Sequence, residues 1–119
     1  MRCAMDCVEY LFKLWNKEYI GIIKALESKL SPVGISIFDL IICLQEQSLE
    51  VHAYHSWFLP KCKNTILYLN KKGVFHYLIL KRKSFYFAWI YDPVLGNIKI
   101  GKWRLYLLWS HKYIMCYNN

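Results

Sequence analysis

The chain has 119 residues, of which 56 % are hydrophobic and 18 % are aromatic. This composition excludes a disordered segment, and the length suits one domain with a core of its own better than two domains. No apolar run approaches the roughly 18–20 residues of a membrane-spanning helix, and the N-terminus lacks the apolar stretch of a signal peptide. We therefore expect residues 1–119 to form a single soluble domain.

The formal net charge is +8, from 16 basic and 8 acidic residues. A basic surface can attract nucleic acid, an anionic membrane or an acidic peptide. The lysines are spread along the chain, however, and the run Lys81, Arg82 and Lys83 falls in a predicted turn, where solvated charge is ordinary. A nucleic-acid-binding module is therefore the weakest interpretation, and we expect no nucleic-acid partner.

Three helices are predicted in the first half of the chain, over residues 3–16, about 18–30 and about 36–47. In the first of them, apolar side chains recur at helical spacing and form one stripe, namely Val8, Leu11, Phe12 and Trp15. A Ser-Pro-Val-Gly turn over residues 31–34 separates the second helix from the third. Ser36 or Ile35 is predicted to open the third helix.

After residue 48 the apolar pattern changes from helical to extended. Short runs rich in β-branched and aromatic residues predict strands, at residues 51–54, 65–69, 75–81, 85–91, 98–100 and 111–117. Residues 70–73 predict a turn, and residues 101–110 allow either a short amphipathic helix or a turn. Helices that precede antiparallel strands are typical of an α+β fold, so we predict three N-terminal helices packed on an antiparallel sheet.

The stretch from His76 to Asp92 predicts an antiparallel hairpin. Folded about Lys83 and Ser84, it pairs Leu80 with Ala88, Leu78 with Ile90, and His76 with Asp92. Directly opposed residues share a face, with Cβ atoms roughly 4.5–5.5 Å apart. An imidazole and a carboxylate are therefore expected within hydrogen-bonding reach at the open end of the hairpin.

Aromatic residues alternate along the second strand of this hairpin. Alternate residues of a strand point to the same face, so these side chains are predicted to share one, namely Phe85, Phe87, Trp89 and Tyr91. We expect that face to be buried and not to be a platform for stacking nucleic-acid bases.

A helix that begins near Cys3 places this thiol at the positive end of the helix dipole. The dipole and the free backbone N–H groups there favour the thiolate, which is the reactive form of cysteine. With His76 as the base and Asp92 as the residue that orients the imidazole, Cys3 completes a cysteine-nucleophile arrangement. Cys3, His76 and Asp92 are the predicted catalytic residues.

The cysteines at positions 3, 7, 43, 62 and 116 contain no Cys-x-x-Cys pair, which disfavours a zinc site. Cys43 and Cys116 lie in apolar patterns and are expected to be small buried side chains. We expect no metal and no cofactor, and free thiols in a reducing compartment.

Three segments of the sequence resemble the peptidase C39 family. CAMDC over residues 3–7 is similar to the Cys-Gly-x-x-x-Cys segment that opens the first helix of that family. HYLIL from His76, followed sixteen residues later by Asp92-Pro93, is similar to its His…Asp-Pro signature. Residues 35–54 resemble the third helix of the family and the strand that follows, so the resemblance covers essentially the whole chain.

The resemblance implies a papain-like cysteine peptidase at the cytoplasmic N-terminus of an ABC exporter, possessing a narrow cleft and cutting after a Gly-Gly leader. Cys3 would be the nucleophile, His76 the general base and acid, and Asp92 the residue that holds the imidazole. The implied partners are a leader peptide, whose amphipathic helix docks on an apolar groove, and the membrane and nucleotide-binding domains of the exporter.

Three positions differ from the family pattern. The family has a Gln about six residues before the Cys, which helps to build the oxyanion hole, and this chain has only Met1 and Arg2 there. Ala4 also replaces a Gly, and Arg2 an acidic residue. Loss of one oxyanion donor costs roughly 100- to 1,000-fold in rate. Two interpretations stay open: a peptidase lacking a short N-terminal segment that carries the Gln, and an impaired domain that binds a leader without cleaving it.

Overall fold

The computed structural model describes residues 2–61, 63–71 and 74–117. Within these residues the chain forms helices first and mostly strands afterwards. The elements are α1 (Cys3–Leu14), α2 (Ile20–Glu27), α3 (Ile37–Gln45), β1 (Glu50–His55), β2 (Thr65–Lys71), β3 (Val74–Lys83), β4 (Phe87–Asp92), β5 (Gly96–Gly101), α4 (Lys102–Leu108) and β6 (Lys112–Tyr117). No helix in the described part of the chain is long and apolar enough to cross a membrane.

The six strands form one antiparallel sheet in the order β1-β6-β2-β3-β4-β5. The last strand of the chain, β6, therefore lies between β1 and β2 and joins the first strand to the rest of the sheet. Helices α1, α2 and α3 pack against one face of it. The predicted α+β fold, with three N-terminal helices on an antiparallel sheet, is confirmed.

Both faces of the sheet are covered, which explains why β2 and β3 read as continuous apolar runs. One core lies between the sheet and the three N-terminal helices, and the sheet contributes Ile66, Tyr68, Tyr77, Ile79 and Ile114 to it. The other core lies beneath α4 and a preceding loop, and contains Leu59, Leu67, Leu69, Leu78, Leu80, Ala88, Ile90, Leu105 and Trp109. Alternate residues of the central strands thus enter different cores.

Helix α3 begins where the sequence predicts. Ser36 is the N-cap, and its hydroxyl accepts a hydrogen bond from the backbone N–H of Asp39 at 3.2 Å. This bond satisfies one of the N–H groups that the first turn of a helix leaves unpaired. The buried hydroxyl of Tyr77 donates to the carbonyl of Ile35 at 2.7 Å and ties this end of α3 to the sheet.

The boundaries of other elements differ from the predicted ones by a few residues. Helices α1 and α2 are shorter at one or both ends, and residues 101–110, which the sequence left ambiguous, contain helix α4. The predicted turn over residues 70–73 is displaced, because Asn70 and Lys71 continue β2 and pair with Phe75 and Val74. The remainder of that turn, residues 72–73, lies outside the described residues.

The register of the β3–β4 hairpin differs from the predicted one by two positions. The sequence predicted Leu78 opposite Ile90, whereas the structure places Leu80 there. A shift of one residue would have turned every side chain of one strand to the other face, but a shift of two keeps the faces unchanged. His76 and Asp92 therefore still share a face, although they are not directly opposed.

Two local features produce this shift. A β-bulge interrupts the pairing between Leu80 and Arg82, and the turn lies further along the chain than predicted. Ser84 closes that turn: its backbone N–H donates to the carbonyl of Phe87 at 2.8 Å, and its hydroxyl accepts from the N–H of Phe87 at 3.2 Å. Bulges and side-chain-closed turns of this kind leave only weak signals in a sequence.

The prediction that the alternating aromatics of β4 form a buried face is wrong. Ala88, Ile90 and Asp92 are the buried residues of this strand. The aromatic face is more open: Phe87 is exposed, and the guanidinium of Arg82 lies 3.8 Å from the ring centroid of Trp89. Ala88 and Ile90 instead enter the core beneath α4.

Candidate active site

Cys3 is the first residue of α1, and it faces the imidazole of His76. The Sγ of Cys3 lies 3.2 Å from the Nδ1 of His76. Helix α1 starts after Arg2, whose carbonyl accepts the backbone N–H of Asp6 at 2.8 Å, as in a regular first turn. The thiol therefore sits at the positive end of the α1 dipole, where a negative charge is favoured.

The opposite nitrogen of the same imidazole faces Asp92. The Nε2 of His76 lies 3.3 Å from the Oδ2 of Asp92, and the Asp92 carboxylate is itself buried. Its other oxygen, Oδ1, accepts the backbone N–H groups of Val94 at 2.8 Å and of Leu95 at 3.3 Å. The turn after β4 thus fixes the carboxylate, and the carboxylate fixes the ring.

The titration of Cys3 and His76 is coupled. The pKa of the Cys3 thiol is lowered, chiefly by its hydrogen bond with His76, although burial acts in the opposite direction. Hydrogen bonds with the backbone of Tyr77 and of Cys3 itself also lower this pKa. The pKa of His76 is raised, first by the hydrogen bond with Cys3 and further by Asp92. Both shifts favour a thiolate paired with an imidazolium.

A recess of about 360 Å³ opens beside His76 and Asp92, on the face of the sheet that α4 covers. Its walls are mostly apolar side chains from β4, β5 and α4, including Ile90, Ile98 and Leu108. Arg104 and Lys99 add positive charge to its lining. The recess offers apolar contact surface directly next to the imidazole and the carboxylate.

The other described cysteines have a different environment. Cys7 lies one turn after Cys3 and is fully buried, and burial raises its pKa well above the ordinary value. Cys43 is buried as predicted, and its pKa is raised by burial. Cys116, which was also predicted to be buried, is only partly buried, and burial raises the pKa of its thiol to about 12. Among the thiols of the described residues, Cys3 alone has a lowered pKa; Cys62 lies outside those residues.

The first helix holds the site through contacts that the sequence did not indicate. Tyr10 of α1 stacks on Tyr91, the neighbour of Asp92, with ring centroids 4.5 Å apart. Arg2 forms an ion pair with Glu27 of α2, at 3.4 Å between Nη1 and Oε1, and Ala4 is buried. Tyr10 and Tyr91 are far apart along the chain, so no local pattern could have paired them.

The comparison with protein families agrees with this geometry. The model of the peptidase C39 family matches residues 1–119, the whole sequence. The chain belongs to the peptidase C39 family. No curated protein matches the sequence at a significant level.

Solved structures of C39 peptidase domains share the fold. The peptidase domain of Streptococcus ComA, a bifunctional ABC transporter involved in quorum sensing, superposes with a TM-score of 0.85 at 16 % identity, covering 98 % of this chain and 91 % of that one. A double-glycine motif protease from an AMS/PCAT transporter, solved in complex with its leader peptide, gives 0.81 at 18 % identity over 96 % and 82 %.

A third similar structure is that of a C39-like domain. The N-terminal C39-like domain of the toxin secretion ATP-binding protein of Vibrio parahaemolyticus gives a TM-score of 0.81 at 16 % identity, covering 98 % of this chain and 97 % of that one. At such low identities, these similarities establish the architecture of the chain.

Proposed function

We propose that this C39 family member is a cysteine peptidase that removes a Gly-Gly-type leader from a peptide before export. The observation that supports this most strongly is the continuous contact from the Cys3 sulfur through both nitrogens of His76 to the Asp92 carboxylate. Nucleophile, base and orienting group within hydrogen-bonding reach of one another are the usual arrangement for covalent acyl transfer.

In the first half of the reaction, the Cys3 thiolate would attack the carbonyl carbon of the scissile peptide bond. The resulting oxyanion would form near the N-terminus of α1, where the helix dipole favours negative charge. As the C–N bond breaks, the His76 imidazolium would give its proton to the leaving amine. The products of this step are the released C-terminal peptide and a thioester between Cys3 and the leader.

In the second half, water would hydrolyse the thioester. His76, now neutral, would take a proton from the water while the oxygen attacks the carbonyl carbon. Collapse of the tetrahedral intermediate expels the Cys3 thiolate and releases the leader as a carboxylic acid, which loses its proton to the solvent. The thiolate and the His76 imidazolium then form the initial ion pair again. Asp92 would keep the imidazole ring oriented and stabilise its charged form in both halves.

The apolar recess beside His76 and Asp92 supports a role for this face in holding the leader. Hydrophobic side chains of an amphipathic helix can fill a groove of this kind at the i, i+3 and i+4 positions. Leu95, Ile98 and Leu108 offer such contacts next to the two polar groups. Burial of leader side chains there would position the Gly-Gly segment across Cys3.

The partners and location follow from the same proposal. A leader-processing domain would act together with the membrane and nucleotide-binding domains of an ABC exporter, at the cytoplasmic face of the membrane. The described similarity to peptidase domains of ABC transporters, one of them bound to a leader peptide, supports this assignment.

Cleavage of a defined peptide by Cys3 variants tests the proposal. A synthetic peptide with an amphipathic leader ending in Gly-Gly, followed by a short cargo, would be incubated with the protein and analysed by mass spectrometry. We expect one cut after Gly-Gly, and no cut by Cys3→Ala. Cys7→Ala is the matched control, because that thiol lies one turn away but is buried, and its pKa is raised.

The same assay separates cleavage from binding alone. Cleavage that persists in Cys3→Ala would remove Cys3 from the mechanism. Measurable binding of the peptide without cleavage, together with Cys3 alkylation no faster than that of a free thiol, would instead establish a domain that binds leaders and does not cut them. Ala4, which stands where the family has a Gly, is a sequence feature that motivates this second function.

A further inference from the structure

A cluster of exposed aromatic side chains lies at the turn end of the β3–β4 hairpin. It consists of Trp57, Phe58, Phe85, Tyr86 and Trp103, which are 85 %, 75 %, 79 %, 65 % and 76 % exposed, respectively. We call these five residues the aromatic patch. All five side chains project into solvent, and four of them, Trp57, Phe58, Phe85 and Trp103, line a recess of about 480 Å³. Apolar surface gathered in this way marks an interaction site more often than scattered exposed residues do.

The patch is remote from the candidate active site. It surrounds the turn of the hairpin, whereas His76 and Asp92 lie toward its open end. A strand rises roughly 3.3 Å per residue, so the seven residue steps from His76 to Lys83 span on the order of 23 Å. The recess beside His76 shares no lining residue with the recess at the patch.

Hydrogen bonds hold the three segments of the patch in place. The backbone N–H of Lys102, the first residue of α4, donates to the carbonyl of Tyr86 at 2.8 Å and joins α4 to the turn. The hydroxyl of Tyr106 accepts the N–H of Leu59 at 2.8 Å and joins α4 to the loop before β2. The aromatic side chains are thus presented on a fixed backbone.

Lysines surround the patch without acidic partners. The ammonium group of Lys83 donates to the carbonyl of Leu59 at 2.8 Å, and its pKa is lowered by burial and by the nearby charges of Lys102 and Lys61. None of these three lysines takes part in an ion pair with an acidic side chain of the described residues. Positive charge here is uncompensated and mutually repulsive.

We propose that the aromatic patch and its three lysines dock on the surface of an anionic phospholipid bilayer. Tryptophan and tyrosine favour the interface between headgroups and acyl chains, and lysine is attracted by anionic headgroups. A second copy of this chain is a poorer occupant, because a symmetric contact would bring the lysines of both copies together. Bilayer docking would hold the domain with the aromatic patch toward the membrane and the candidate active site away from it.

Vesicle flotation tests this proposal on the intact chain. Vesicles of phosphatidylcholine with phosphatidylglycerol should carry the protein, and vesicles of phosphatidylcholine alone should carry much less. Each lysine near an anionic surface contributes about 1 kcal/mol, a factor of about five, so Lys61→Gln with Lys102→Gln should weaken binding roughly 30-fold. Added salt should weaken the binding of the wild-type chain.

A matched double variant controls for net charge. Lys24→Gln with Lys29→Gln removes the same charge from exposed positions in and after α2, and it should bind nearly as well as the wild type. If both double variants lost vesicle binding equally, the net charge of the protein and not the patch would account for the binding, and the proposal would be overturned. The alkylation rate of Cys3, which the patch does not touch, reports in every variant that the fold is intact.

Fluorescence locates the contact on the molecule. Brominated lipids should quench the tryptophan emission of the wild type, and Trp57→Phe with Trp103→Phe should remove most of that quenching. Absence of binding to anionic vesicles overturns the proposal. Self-association of the wild type that is lost in the Trp57→Phe, Trp103→Phe variant would also overturn it, because the patch would then bind a second copy. Binding of an acidic amphipathic peptide at the patch in place of vesicles would overturn it as well, because the patch would then bind a protein partner.

Discussion

Both carboxylate oxygens of Asp92 make hydrogen bonds, and each oxygen has different partners. Oδ2 contacts the imidazole of His76, while Oδ1 accepts the backbone N–H groups of Val94 and Leu95. A buried carboxylate is stable when such donors surround it. The Asp-Pro sequence therefore specifies a turn and also places a carboxylate beside the imidazole of His76.

The pKa shifts at this site predict how the reactivity of Cys3 depends on pH. Because the pKa of Cys3 is lowered and that of His76 is raised, the thiolate–imidazolium pair is populated above the first pKa and below the second. Alkylation of Cys3 by iodoacetamide should therefore remain fast at pH values where an ordinary thiol is protonated, and should slow as the pH falls through the lowered pKa. Peptide mapping by mass spectrometry, read at Cys3, gives the rate.

Asp92→Asn tests how Asp92 contributes to the pH dependence of Cys3 alkylation. The amide oxygen can still accept the turn N–H groups, but the negative charge that raises the pKa of His76 is gone. The inflection in the pH profile of the Cys3 alkylation rate should move to higher pH. The rate of any peptide cleavage should also fall, but by less than in His76→Ala, where loss of a general base is expected to cost roughly 100- to 10,000-fold. An unchanged profile would mean that Asp92 does not act on the pair.

Helix α4 shows how an element depends on its neighbours. Its sequence, KWRLYLL, is mostly apolar, but Leu105 is its only buried residue, while Trp103 and Leu107 are exposed. A helix this short is not stable alone in water. Its packing against β4 and β5 therefore holds it in place. The periodicity of residues 101–110 therefore could not distinguish a helix from a turn.

Truncation of leucines on α4 compares buried and exposed positions on one helix. Leu105→Ala should lower the free energy of unfolding by about 2–5 kcal/mol, because it leaves a cavity in the core beneath α4. Leu107→Ala, at a position that is 87 % exposed, should change it by less than about 0.5 kcal/mol. Urea denaturation followed by circular dichroism measures both, and equal effects would contradict the observed packing.

At the scale of the whole molecule, the candidate site lies where the helical layer meets the sheet. Cys3 comes from α1, whereas His76 and Asp92 come from adjacent strands. Contacts that lock the two layers together therefore also fix the distance from sulfur to imidazole. The buried hydrogen bond from Tyr77, next to His76, to the carbonyl of Ile35 before α3 is one of them.

Removal of the Tyr77 hydroxyl tests how much this hydrogen bond stabilises the contact between the helical layer and the sheet. Tyr77→Phe keeps the ring but leaves the buried carbonyl of Ile35 without this donor, which should cost about 1–3 kcal/mol of unfolding free energy. Tyr54→Phe is the control, because Tyr54 lies on the edge strand β1 and is exposed. Chemical denaturation gives both values. A loss for Tyr77→Phe no larger than for Tyr54→Phe would show that the bond contributes little.

Local patterns in the sequence were sufficient for much of the fold. Apolar spacing located the first helix, the cap at Ser36 was one of two predicted starts for the third, and the strands from residue 65 to 91 were placed within a few residues. These features depend on neighbours three or four positions away, which a sequence displays directly. The contact between the His76 imidazole and the Asp92 carboxylate was anticipated through the hairpin, although the two residues are not directly opposed as predicted.

The sequence by itself determined the α+β order of elements and the three residues that meet at the candidate site. Only the tertiary structure decided the two-residue shift in hairpin register, the face of β4 that is buried and the helical state of α4. Each of these depends on what lies across a sheet face or on a bulge, and therefore on residues distant along the chain. The aromatic patch was likewise invisible beforehand, because exposure is a property of the packed molecule and not of the residue type.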